Sequence, residues 1–179
     1  TGTETALAIM ALTAITACEK GLDPEEEARI SNIVDETLAE CRKIEDVEGP
    51  NCTEIDLNTD VRGGRTEGIY NGKKGFQKAF ERTAMDSELP GDMTTLKIED
   101  GDNETRFSRA RFYDKTGSFS AKDQECTRAT TERLRGGWDA TTREKIRCGD
   151  FEKIEEKIRA AIATHLKRGK QIPRTANKK

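Results

Sequence analysis

Cys18, Cys41, Cys52, Cys126 and Cys148 are the side chains of this chain with the clearest covalent chemistry. Ten residues separate Cys41 from Cys52, and twenty-one separate Cys126 from Cys148. Each pair can close a local loop, and disulfides across loops of that length stabilise a fold by roughly 3 kcal/mol each. Four cysteines allow three connectivities, of which the local one is preferred. Cys18 is then left over, as a free thiol, an intermolecular link or a modified residue. Five reduced thiols in a cytosolic chain are the alternative. A zinc site of usual spacing is excluded, because there is no Cys-x-x-Cys and His165 is the sole histidine.

Carboxylates and amides cluster next. Asp56, Asn58, Asp60 and Glu67 stand at places one, three, five and twelve of a calcium-loop spacing. Over that dozen residues the chain resembles an EF-hand loop, which would make calcium the cofactor; otherwise none is called for. It departs at Val61, where such loops carry glycine, and at Gly63, where they carry an aliphatic residue. A solvated polar turn reads the same residues without a metal. Glu40, Asp60 and the run Thr66-Glu67-Gly68-Ile69 have a layout similar to lysozyme-like glycosidases. That resemblance implies Glu40 as a protonated acid and Asp60 as the carboxylate across the scissile bond or positioning the attacking water, with Thr66 of the Thr-x-Gly-Ile turn in the same site. Set against this, sugar clefts use aromatic stacking faces, and the chain has nine aromatic residues in all.

The remaining candidates are charges and sequons. Arg106, Arg109 and Arg111, with Lys73, Lys74, Lys78 and the segment from Lys167 to Lys179, could form an anion-binding face. Glu99, Asp100, Asp102 and Glu104 would blunt the arginine strand, and Arg106 and Arg109 fall on opposite faces of an ideal strand. Asn51-Cys52-Thr53 and Asn103-Glu104-Thr105 are glycosylation sequons in expected loops. His165, beside Leu166 late on an amphipathic helix, reads as a surface residue and not as the base of a triad. No P-loop or dinucleotide fingerprint is present.

The elements that must position these groups read as α+β, mainly α. Residues 4–19 have the apolar stripe of an enclosed helix, with Leu7, Met10, Ala11, Ala14 and Cys18 on one side. Ile15-Thr16-Ala17-Cys18 also resembles a lipobox, but no basic residue precedes it, so a buried helix is preferred. Asp23 caps a second helix, with Pro24 first and Ile30, Ile33, Val34, Thr37, Leu38 and Cys41 facing inward. These two would form an antiparallel helical hairpin. Short extended pieces are expected at 55–57 and 69–70, a short helix at 75–87, and a β-hairpin from 93–99 and 105–113 across Asp100-Gly101-Asp102-Asn103. Helices are expected at 121–135 and 139–148. A last amphipathic helix begins at Asp150, with Phe151, Ile154, Ile158, Ala161, Ile162 and Leu166 inward. Residues 1–166 would be one globular domain and 167–179 a basic flexible tail.

With 179 residues, 36% charged and 33% apolar, the chain can bury only a thin core, where disulfides matter most. Its net charge of −3, well mixed, exerts no pull on nucleic acid, and no apolar stretch is long enough to span a membrane as a helix. The expectation is a disulfide-stapled, non-enzymatic binding domain that is secreted, on the cell surface or periplasmic, whose partner is another protein. A small secreted glycosidase using Glu40 and Asp60 is the alternative. A nucleic-acid or anion binder using the basic strand and tail is the second.

Overall fold

A computed structural model describes residues 21–41, 52–59, 63–84, 86–137 and 139–171. Seven strands follow one another in a single antiparallel meander: β1 (Cys52–Thr59), β2 (Gly64–Asn71), β3 (Lys74–Arg82), β4 (Gly91–Asp100), β5 (Asn103–Phe112), β6 (Gln124–Arg133) and β7 (Asp139–Lys145). Each pairs with its sequence neighbour. Two of the connections are two-residue turns with glycine first, Gly72 at φ 60° and Gly101 at φ 65°. A left-handed residue there matches the twist of the strands, and glycine adopts it without strain.

Among the described residues, two helices cover one face of the sheet. The first, α1 (Pro24–Glu40), starts where its sequence says it should: the Asp23 carboxylate accepts from the Glu25 N–H at 3.1 Å and Pro24 follows. The second, α2 (Cys148–Gln171), begins one turn after β7. Its Asp150 accepts from the Leu22 N–H at 3.1 Å, so the entry to α1 is tied to the start of α2. Ile30, Ile33 and Val34 of α1 and Phe151, Ile154, Ile158 and Ala161 of α2 form the upper half of the core. Ile69, Phe76, Leu96, Ile98 and Phe107 rise from the sheet to meet them. Phe76, Leu96, Phe107, Phe151 and Ile158 are fully buried, and each contributes about 1.5–3 kcal/mol of transfer free energy.

Both disulfides tie a helix to the sheet. Cys41–Cys52 joins the C-cap of α1 to the first residue of β1, with Cα atoms 5.6 Å apart, and Cys126–Cys148 joins β6 to the first residue of α2 at 5.3 Å. The local pairing expected from spacing is the one present.

The expectation of a mainly α molecule with a small central β-hairpin is overturned, because the molecule is mostly sheet. The segment 75–87, expected as a helix, is β3 over most of its length; 121–135 contains β6 and 139–148 contains β7. Cys126–Cys148 therefore does not join two late helices. In β3 the inward positions are Phe76, Lys78, Phe80 and Arg82, and charged residues inside a two-residue alternation left Phe76, Ala79, Phe80 and Thr83 looking helical. In β6 the inward positions are Cys126, Arg128 and Thr130, and only the first is apolar. Its Arg128 is neutralised by Glu26 of α1 and Glu144 of β7. Of the expected helical hairpin, the second member is α1, while residues 4–19 lie outside the described residues. The expected strands 93–99 and 105–113 are present as β4 and β5. Helix α2 runs on to Gln171, and residues 172–179 of the expected tail lie outside the described residues.

Candidate functional site

Among the described residues no helix lies on the second face of the sheet, and the strand register places its side chains in rows. Thr66, Ala79, Thr95, Ser108 and Thr127 lie side by side across β2 to β6, a band of small residues. Next to it, nearer the Gly72 and Gly101 turns, run Gln77, Lys97, Arg106 and Arg143, followed by Tyr70, Glu99 and Glu104. Lys97 reaches Glu99 at 2.8 Å and Arg106 reaches Glu104 at 2.9 Å, so both cations lean away from the band. The Tyr70 ring lies over Gly75, where a Cβ would approach it to 2.6 Å. Its hydroxyl donates to Gln77 Oε1 at 3.2 Å. Burial first, then Glu99 and Glu104, hold that hydroxyl well above the usual tyrosine range, so it stays a donor.

On the other side of the band the face changes character. Glu81, Met93 and Ala110 are in register, and Phe112 follows on the same side of β5. With Leu89 from the β3–β4 connection they line a cleft of about 420 Å³. Leu89, Met93 and Phe112 are 69%, 47% and 38% exposed, unusual for large apolar side chains grouped together. Gly91 forms part of the floor, where a Cβ would run into the Arg111 carbonyl. The cleft wall is pinned to the sheet. Thr83 Oγ1 donates to the Gly91 carbonyl at 2.8 Å and accepts from the Gly91 N–H at 2.6 Å, and the Tyr113 N–H donates to the Pro90 carbonyl at 2.8 Å. Behind it, on the helix-covered side, Tyr113 donates its hydroxyl to buried Asp92, and the Arg111 guanidinium stacks 4.9 Å from the Phe119 ring. Glu81, Arg82, Asp92 and Arg111 complete the lining; a site of this volume, mostly apolar and with its wall pinned by hydrogen bonds, suits a small apolar group.

The candidates named from the sequence are scattered. Glu40 ends α1 in an exposed position, where Asn71 Nδ2 donates to it at 2.6 Å. Thr66 belongs to the small-residue band on the opposite face, and Asp60 lies outside the described residues. Asp56 and Glu67 are directly paired across β1 and β2, and both bind the Arg65 guanidinium, at 3.3 and 2.6 Å; Asn58 lies two residues along the same side. Among the described residues no three His, Cys, Asp or Glu side chains are placed to hold a metal.

The three arginines do not converge. Arg106 is on the open face, whereas Arg109 is buried under α2 with its guanidinium 2.9 Å from Glu155 and 4.8 Å from the Phe151 ring. Arg111 shares that side. Asn103 is exposed at the Gly101 turn; Asn51 and Cys18 lie outside the described residues. His165 contacts Glu54 at 2.6 Å.

Sequence reasoning missed the cleft. Leu89-Pro90-Gly91 follows the segment 75–87 expected as a helix and has the composition of its stop, and Met93 and Phe112 fall in the expected strands as ordinary strand residues. The available signal was alternation in β4: Met93, Thr95, Lys97 and Glu99 share one side, and a methionine is the odd member of that polar set. No family model, curated protein or solved structure matches the chain.

Proposed function

We propose that this chain is a non-enzymatic, extracytoplasmic binding domain that recognises a protein partner through the open face of its sheet. The observation that carries this is the cleft formed by Leu89, Met93, Ala110 and Phe112, mostly apolar, with its wall pinned by hydrogen bonds and set at one end of the uncovered face. Binding energy at protein interfaces concentrates in a few apolar or aromatic side chains that fill such pockets, with a surround that excludes water. The small-residue band beside the cleft lets a partner backbone approach closely. Two disulfides in a thin-cored domain are compatible with an oxidising compartment.

The test is selection of a random-peptide phage library on the folded, oxidised protein. Enriched peptides carry one bulky apolar residue, and their affinity falls by roughly 30-fold, a hot-spot loss of about 2 kcal/mol, in Met93→Glu and Phe112→Asp. Lys153→Glu, on the helical side, leaves it unchanged. Absence of enrichment, or binders indifferent to both cleft variants, overturns the proposal. A non-reducing peptide map of protein from its native source tests the compartment: five free thiols would exclude it.

A further inference from the structure

We infer that the partner's anchor is a bulky apolar side chain with a lysine or arginine beside it, a conclusion that rests on the binding role proposed above. The charges of the open face are mostly matched within the molecule: Lys97 with Glu99, Arg106 with Glu104, Lys145 with Glu125 and Arg133 with Asp139. Besides Arg143 on β7, the exception is the cleft rim. Glu81 stands directly beside Met93, and the connection that supplies Leu89 also carries Asp86 and Glu88. All three carboxylates are exposed. Among the described residues, none lies within ion-pair distance of a cation.

Arg82 and Arg111 also line the cleft, but their guanidinium groups are engaged elsewhere. Arg82 follows Glu81 in β3 and so turns to the helix-covered side, its guanidinium 5.9 Å from the Phe80 ring. Arg111 stacks on Phe119 and stands 4.0 Å from Asp92. Glu81 at the cleft, and Asp86 and Glu88 on the connection that supplies Leu89, are therefore left as carboxylates without an ion-pair partner among the described residues. An anionic or purely apolar segment gains nothing from those charges. A cation about one strand spacing, roughly 5 Å, from the buried anchor lies opposite Glu81. In an extended segment that is a residue next to the anchor or one removed from it; in a helix it is three or four residues away.

Rim charges act mainly on association rate and are screened by salt. Peptides selected on the wild-type protein are therefore measured on Glu81→Lys/Glu88→Lys, on Glu81→Gln and on Met93→Glu, at low and at high salt. The expected result is enriched sequences with Lys or Arg close to the apolar residue. Association with the double lysine variant slows roughly tenfold at low salt, the difference shrinks at high salt, and Glu81→Gln falls between the two proteins. Binders that lack a basic residue, lose affinity in Met93→Glu and ignore both Glu81 variants would overturn this inference while leaving the binding role standing. Binders indifferent to all three variants overturn both.

Discussion

Glu155 is the most heavily engaged charged residue described. Only 5% exposed, it accepts from Arg109 at 2.9 Å and from Arg159 at 2.9 Å, and Lys78 lies 3.2 Å away. Burial pushes its carboxyl upward, but the Arg109 and Lys78 charges outweigh burial and hold it below the usual glutamate range. Glu155→Gln leaves Arg109, itself 5% exposed, beside a neutral partner and should cost about 3 kcal/mol, read as a lower urea midpoint at unchanged slope. The same pair sets a pH dependence. A carboxyl lower in the folded than in the unfolded chain stabilises fully above the unfolded value, about 4.3, and that contribution is lost as pH falls through the folded value. Stability that differs between wild type and Glu155→Gln at about pH 6, and converges well below pH 4, is the expected pattern. None of this was legible in the sequence. Arg109 was read there as one of a free basic set, because its partner lies 46 residues away on another element.

At the scale of elements, each helix is held to the sheet at one end by a disulfide. Chain-entropy arithmetic gives about 3 kcal/mol for each loop, so Cys41→Ser/Cys52→Ser and Cys126→Ser/Cys148→Ser should each lower stability by about that amount. Calorimetry of the two variants checks this, and a loss near zero in either would show that its helix is seated by packing alone. The end held differs: the first bond secures the exit of α1 and the second the entry of α2. Hydrogen exchange should therefore rise first at the start of α2 in the second variant. Both pairings were legible, since short-range cysteines need little chain to close. Helices α1 and α2 were legible too, through capping at Asp23 and an unbroken apolar stripe from Phe151 to Ile162. Strands β3, β6 and β7 were not. In β7 every residue but Glu144 is exposed, so no alternation of apolar and polar residues exists to be read.

For the molecule as a whole, one face of the sheet carries the buried core, and the other carries no helix among the described residues. Phe107→Ala, removing a fully buried ring beneath the helices, should cost about 3–5 kcal/mol. Thr95→Lys and Ser108→Lys, one residue from core positions but on the open face, should stay within about 0.5 kcal/mol of wild type. Denaturant curves of the three variants distinguish a half-covered sheet from one buried on both sides. The sequence alone determined those features that are local in the chain: where α1 begins, the amphipathic helix α2 (expected from Asp150 and starting at Cys148), the β4–β5 hairpin with its glycine turn, and the two disulfides. Tertiary structure alone decided the rest, because the inner face of this sheet is built partly from charged residues. Lys78, Arg109 and Arg128 are tolerated there only because Glu155, Glu26 and Glu144 arrive from other elements to neutralise them. The cleft has the same origin: Leu89, Met93 and Phe112 become neighbours only once β3, β4 and β5 pair in this register.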